Sequence, residues 1–148
     1  MKIYTLTLSP AYDIHAVAET IVACHENLAT VSSRQAGGKG VNISRALRNY
    51  GVPNTAVVVL GTENSAEFEQ SLAQNQLNCY LIKQEGRIRE NLTIHCANAP
   101  ETRISFTGFS VSEEILKEIL KEIRADQDTV VTFTGRIPEG MSMAAVKA

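Results

Sequence analysis

The chain has 148 residues, 44% of them hydrophobic and 20% charged, and its formal net charge is −2. These values are typical of a single globular domain with a sizeable core. The basic residues never form a dense run, so nothing indicates a nucleic-acid or membrane-surface partner. No apolar stretch approaches the roughly 20 residues of a membrane-spanning helix. The N-terminus lacks the continuous apolar segment of a signal peptide, so we expect a cytoplasmic protein.

The three cysteines are odd in number and lie far apart in the sequence. The three cysteines form no CxxC pair, and the three histidines have no metal-ligand spacing. The sequence therefore predicts neither a disulfide framework nor a zinc site.

The first third of the chain predicts a strand, an extended segment and a glycine loop before a helix. Ile3–Leu8 has the composition of a strand. Residues 14–33 contain no glycine or proline and predict one or two partly exposed strands. Gly37–Gly40 predicts a loop, and Val41–Tyr50 predicts a helix that ends before Gly51.

Predicted strands and helices alternate along much of the remaining chain. Ala56–Leu60 is a continuous apolar run, typical of a strand buried on both faces of a parallel sheet. The other predictions are a helix over Ser65–Gln76, strands over Cys79–Lys83, Glu90–Cys96 and Arg103–Phe109, a helix after a capping box at Ser110, a second buried strand over Thr129–Thr134, and a helix start after Gly140.

This alternation predicts βαβ units, and hence a largely parallel sheet with helices on its faces. Segments 14–33 and 90–109 do not fit it and are predicted to form a small accessory sheet. The final segment begins a helix with no strand after it, whereas a crossover helix normally leads to the next parallel strand. We therefore expect an α/β fold that is cut short at its C-terminus.

The glycine loop, Gly37-Gly-Lys-Gly40, has neither the Walker A spacing nor the GxGxxG spacing. It does bring backbone N–H groups and the charge of Lys39 to the start of a helix, where an anion or sugar hydroxyls can bind. A tight turn with a solvated lysine explains the same residues. The local sequence leaves both interpretations open.

Five stretches, in the same order along the chain, resemble motifs of the PfkB family of sugar kinases. They are Thr5–Asp13 (similar to TLNPAxD), Ala36–Leu47 with Tyr50-Gly51 (GGKGxNVAxxLxxLG), Arg87–Ile94 (TRxNxxI), Phe106–Ser110 (FSGxxV) and Thr134–Gly140 (SGSLPxG). The resemblance implies a ribokinase-like sheet with flanking helices and a small β-lid. Residues 1–148 would be the N-terminal portion of the kinase domain, with lid segments at about 14–33 and 90–109.

The resemblance also implies which residues bind the sugar. Asp13 would accept hydrogen bonds from sugar hydroxyls, since an ionised carboxylate is an acceptor only. Gly37 and Gly38 would let the sugar approach the backbone, and Asn42 would add a side-chain hydrogen bond.

A phosphate already on the sugar would be held by Lys39 and Arg89 through charge-assisted hydrogen bonds. Asn91 would support them from the lid. Arg103 could join them, although it matches a position that varies within the family.

The chain departs from the family pattern in several ways. Ser9 stands where the family has asparagine, and Arg136 stands where it often has serine, which puts that phosphate contact in doubt. The GAGD motif, whose aspartate is the general base of the family, does not occur in the sequence. The nucleotide pocket and the magnesium-linked NxxE motif are also missing. We therefore expect no catalytic residue in this chain and no activity from it alone.

The lysine of the glycine loop favours the branch of the family that includes the 1-phosphofructokinases. A whole enzyme of this kind would use ATP and Mg²⁺ to convert fructose 1-phosphate to fructose 1,6-bisphosphate, and would form a homodimer through the lid. Tagatose 6-phosphate or fructose 6-phosphate is an alternative substrate. A sugar-phosphate-binding or dimerising module without catalysis is an alternative of another class.

Overall fold

The computed structural model of the protein describes residues 1–123, 128–142 and 144. Within these residues the chain forms eight strands and three helices. The strands are β1 (Lys2–Thr7), β2 (Ala11–Ala18), β3 (Ala29–Gly37), β4 (Thr55–Gly61), β5 (Cys79–Gln84), β6 (Arg89–Cys96), β7 (Ala99–Ser105) and β8 (Thr129–Phe133). The helices are α1 (Lys39–Asn49), α2 (Ser65–Gln74) and α3 (Glu113–Ile123).

The main sheet has four parallel strands in the order β5-β4-β1-β8. The apolar run Ala56–Leu60 in β4 is at most 1% exposed, which confirms that this strand is buried on both faces. Phe68 of α2 packs in the cluster on one face of the sheet, and Ile119 of α3 packs in the cluster on the other. The predicted parallel sheet with helices on both faces is therefore confirmed.

A second four-stranded sheet has the order β3-β2-β6-β7. In it β2 pairs antiparallel with β3 and parallel with β6, and β6 pairs antiparallel with β7. The segments that interrupt the alternation of strands and helices therefore do form a separate sheet. Its strands reach further toward the main sheet than expected, because β2 begins at Ala11 and β3 continues to Gly37.

Two predicted strands differ in the structure. β7 covers Ala99–Ser105 instead of Arg103–Phe109, so Pro100 lies in a strand and not in a turn. This is possible because β7 is an edge strand, where a residue without an N–H group need not break the sheet. β8 is not a buried strand: it pairs with β1 alone among the described residues, and Val130 is 42% exposed.

The capping box predicted at Ser110 is also wrong. Because α3 begins at Glu113, the residue immediately before the helix is Ser112. Hydrogen bonds from the backbone of Glu114 and from the Ser112 hydroxyl lower the pKa of the Glu114 carboxyl. The helix start predicted after Gly140 falls mostly outside the described residues. Across the described ranges, no helix has the length and apolar character needed to cross a membrane.

Candidate functional site

A cleft of about 410 Å³ lies between the two sheets. Its walls include the residues that follow β1 and β8, the start of α1, the start of β6 and the end of β7. Ligands of open α/β sheets bind outside the carboxyl ends of the parallel strands, which is where this cleft opens. The topology therefore makes it the first candidate for a binding site.

The turn from β3 into α1 packs tightly beside the cleft. A Cβ atom on Gly37 would lie 2.2 Å from Oδ2 of Asp13, and one on Gly38 would lie 2.7 Å from Cγ2 of Thr7. Gly38 also has φ of +118°, a conformation that favours glycine. The backbone N–H of Val41 donates to Oγ1 of Thr7 at 2.9 Å, which fixes the first turn of α1 against β1. Gly37 and Gly38 are therefore required here, because neighbouring atoms leave no room for a Cβ atom at either position.

A chain of hydrogen bonds crosses the second sheet at the edge of the cleft. Asn91 donates from Nδ2 to Oδ1 of Asp13 at 2.9 Å, and Nη1 of Arg89 donates to Oδ1 of Asn91 at 2.7 Å. Nε of Arg89 donates to Oγ of Ser9 at 3.1 Å. The carboxylate of Asp13 and the guanidinium of Arg89 are thus held in a fixed relation by one amide.

Three cationic side chains line the cleft: Lys39, Arg89 and Arg136. Burial lowers the pKa of Arg89, the charge of Arg136 lowers it further, and the charge of Asp13 opposes both. Among the described residues, neither Lys39 nor Arg136 has a carboxylate within ion-pair distance. The cleft therefore has an excess of positive charge that suits an anion.

The structure brings most of the predicted site residues together. Lys39, Arg89 and Asn91 line the cleft. Asp13 joins it through its hydrogen bond from Asn91, and Gly37 packs against Asp13.

Two predicted residues lie elsewhere. Asn42 is exposed on α1, where its Oδ1 accepts a hydrogen bond of 3.0 Å from Nη1 of Arg45. Arg103 is 71% exposed and pairs with Glu101, outside the lining of the cleft. The structure does not bring either side chain to the candidate site.

Sequence reasoning missed other groups of the lining. Ser105 lines the cleft because it is the last residue of β7 and the register partner of Asn91. The predicted strand Arg103–Phe109 contained Ser105, but the sequence did not show that this residue pairs with Asn91. Arg136, which the sequence left in doubt as a phosphate contact, is also in the lining. Thr134 accompanies it from the segment after β8.

Comparisons with known proteins agree on one family of kinases. The profile of the pfkB family of carbohydrate kinases matches residues 9–148. The 1-phosphofructokinase of Haemophilus influenzae is 29% identical over 144 residues, which are 95% of this chain and 46% of that protein. The 1-phosphofructokinase of Borreliella burgdorferi is 34% identical over 142 residues, or 94% of this chain and 45% of that protein.

Solved structures show the same fold. A phosphofructokinase-2 from Escherichia coli in complex with fructose-6-phosphate superposes with a TM-score of 0.88 at 22% identity, covering 98% of this chain and 48% of that one. A possible 1-phosphofructokinase from Thermotoga maritima gives a TM-score of 0.79 at 26% identity, covering 96% and 47%. The expected ribokinase-like fold is therefore confirmed. The chain spans about half the length of the curated relatives it matches.

Proposed function

The chain belongs to the pfkB family of carbohydrate kinases, and we propose that its cleft binds a ketose phosphate as the acceptor in a phosphoryl-transfer reaction. The observation that carries this proposal is the placement of Asp13 and Arg89 on either side of Asn91. A carboxylate that accepts hydrogen bonds from hydroxyls then lies next to a guanidinium that binds phosphate, which are the two kinds of group on a sugar phosphate.

Each side chain has a simple role in this proposal. Asp13 accepts hydrogen bonds from sugar hydroxyls, and the backbone at Gly37 and Gly38 lies close to the ring. Lys39 and Arg89 hold the phosphate already on the sugar by charge-assisted hydrogen bonds. Positioning of this kind lowers the barrier to phosphoryl transfer by presenting the free hydroxyl in a fixed orientation.

The reaction we propose for the whole protein is transfer of the γ-phosphoryl group of ATP, with Mg²⁺, to fructose 1-phosphate. The names of the relatives support this substrate. In the part of the chain that the structure describes, no three histidine, cysteine, aspartate or glutamate side chains converge on a possible metal position. The GAGD motif, which the family resemblance makes the source of the general base, does not occur in the sequence. We therefore assign no residue here to Mg²⁺ or to the general base, and propose that this chain alone is inactive.

Calorimetric titration tests the proposed acceptor site. We expect this chain to bind fructose 1-phosphate saturably and more tightly than fructose, because fructose leaves Lys39 and Arg89 without an anion. An Arg89→Met variant should lose most of the difference between the two ligands. An Arg48→Met variant, at an exposed position near the end of α1, is the matched control and should bind as the parent does. Equal affinity for fructose and its phosphate would contradict the proposal.

Fructose 6-phosphate is the second candidate substrate, because it is the ligand of the phosphofructokinase-2 structure with the same fold. The same titration separates it from fructose 1-phosphate by relative affinity, and tagatose 6-phosphate forms a third arm. A sugar-phosphate-binding module without catalysis stays open as an alternative. If the natural protein carries the GAGD motif and turns over ATP, that alternative is removed.

Assembly and location are part of the same proposal. We propose that the second sheet pairs with its counterpart in a second copy, since it exposes Val17 by 52% and Val31 by 60%. A Val17→Glu variant should then dissociate in light-scattering measurements, whereas Leu120→Glu, on an exposed part of α3, should not. We place the whole protein in the cytoplasm, where ATP and sugar phosphates are available.

A further inference from the structure

We propose that Arg136 acts together with Arg89 as a pair of guanidinium groups that makes the cleft selective for a doubly charged phosphate. This inference rests on the proposed sugar-phosphate site and specifies its ligand. It assigns a binding role to a residue that the sequence pattern left in doubt. A singly charged anion or an unphosphorylated sugar would gain much less from the pair.

The first support is where the two arginines lie. Both line the 410 Å³ cleft, and both also line a smaller cavity of about 110 Å³ beside it. They therefore stand where the two cavities meet. Gly135 has φ of +115°, and a Cβ atom built on it would lie 3.6 Å from Cβ of Lys39. That turn takes the chain from β8 past Lys39 and on to Arg136.

The second support is the balance of charge around Arg136. The charge of Arg136 lowers the pKa of Arg89, so the two cations act on each other. Asp13 partly offsets the charge of Arg89. Glu139 lines the smaller cavity but makes no ion pair with either arginine among the described residues. Two like charges that line the same cleft, only one of them partly offset by a carboxylate, favour a ligand that neutralises both.

The chemistry of the ligand follows from that geometry. A guanidinium presents a planar set of donors that matches phosphate, and two guanidiniums can bind different oxygens of one phosphate. The second proton of a phosphate ester leaves at a pKa of about 6, so the ester carries two charges only above that pH. Affinity should therefore rise with pH through this range, because the ligand and not the protein gains charge.

The test is calorimetric titration of the full chain with fructose 1-phosphate at pH 5 and pH 7.5, with sulfate as a reference anion. Sulfate keeps both charges at either pH, so it reports any change in the protein itself. We expect fructose 1-phosphate to bind about tenfold more tightly at pH 7.5, in line with its dianionic fraction, and sulfate to change much less.

An Arg136→Ser variant should bind fructose 1-phosphate about tenfold more weakly at pH 7.5, the loss expected for one charge-assisted contact. Its pH dependence should also shrink. Arg136→Lys should recover part of the affinity, and Arg48→Ser, which removes an equal charge elsewhere, should match the parent. Thermal unfolding of each variant checks that the fold is intact.

The outcomes separate this inference from the proposed function. If the parent prefers fructose 1-phosphate over fructose but Arg136→Ser binds it equally well, the role of Arg136 is wrong and the acceptor site stands. If the parent binds fructose and its phosphate equally, the acceptor site itself is wrong. A weaker affinity of Arg136→Ser for sulfate would then still support the paired guanidiniums. Unchanged sulfate affinity would overturn them as well.

Discussion

Asn91 donates a hydrogen bond of 2.9 Å to Asp13, and the two residues are direct register partners on the parallel strands β6 and β2. The other end of the same amide accepts a hydrogen bond of 2.7 Å from Arg89. An amide has distinct donor and acceptor ends, so only one orientation of Asn91 satisfies both neighbours. The pairing of two strands thereby fixes the relation between a carboxylate and a cation at the cleft.

Replacing Asn91 with aspartate should weaken binding of the sugar phosphate. Asn91→Asp keeps an acceptor for Arg89 but removes the donor to Asp13 and brings two carboxylates within hydrogen-bond distance. We expect about tenfold weaker binding, because one hydrogen bond to a charged group is lost and like charges meet. Titration of fructose 1-phosphate measures the change.

The control for that substitution is Asn78→Asp. Asn78 is exposed and donates from Nδ2 to Oγ1 of Thr55 at 2.8 Å, at the amino ends of β4 and β5 and outside the lining of the cleft. Asn78→Asp adds the same negative charge as Asn91→Asp, and we expect it to have no effect on binding. If both variants bind as the parent does, the amide of Asn91 has no role in positioning Asp13.

Gly37→Ala should impair binding more than folding. Its Cβ would lie 2.2 Å from Oδ2 of Asp13, so the carboxylate has to move out of its position. Gly51→Ala should show the opposite pattern, since nothing lies within 4 Å of its Cβ but its φ is +71°. That variant should lose about 1 kcal/mol of stability and retain binding. Titration and thermal unfolding of both variants would show whether the two effects separate.

The patterns that the sequence predicted well are those that depend on burial. Ala56–Leu60 reads as a buried parallel strand because its apolar residues are continuous, and its exposure is at most 1%. The helix over Ser65–Gln76 was predicted from the spacing of apolar residues, and α2 buries Phe68 and Leu72. The spacing of apolar residues indicates which faces of an element are buried, and the packing of the main sheet agrees with it.

Features that depend on tertiary position were harder to predict. Pro100 suggests a turn, yet as part of an edge strand it does not disrupt the second sheet. The sequence suggested that Arg136 is too bulky to contact a phosphate. In the structure Gly135, just before it, has φ of +115°, and Arg136 lines the cleft. The local sequence does not show which strand lies at the edge of a sheet, or in which direction the side chain after a turn points.

Thr7→Val should destabilise the protein without changing the shape of the core. Thr7 is 2% exposed, and its Oγ1 accepts the hydrogen bond from the backbone N–H of Val41 at the start of α1. Valine has nearly the same volume but leaves that buried N–H without its acceptor, which costs about 1 to 3 kcal/mol. Chemical denaturation measures the loss. Thr7→Ser keeps the hydroxyl and should recover part of it, and equal stability of the Val and Ser variants would contradict the role of this bond.

The ion pair of Glu69 predicts a specific dependence of stability on pH. Hydrogen bonds from Lys83 and Ser65 lower the pKa of Glu69 from its ordinary value of 4.5. A carboxyl whose pKa is lower in the folded state adds stability above the unfolded value and loses it as the pH falls through the folded value. Relative to Glu69→Gln, the parent should therefore be more stable at pH 7 and lose that advantage below about pH 4.

The difference should be small, below about 1 kcal/mol, because Lys83 and Glu69 are 47% and 34% exposed. Urea denaturation of both proteins from pH 3 to 7 would measure it. Glu63→Gln is the matched control, since Glu63 is exposed and has no ion pair among the described residues. A constant offset between the parent and Glu69→Gln at every pH would mean that the charge of Glu69 contributes nothing.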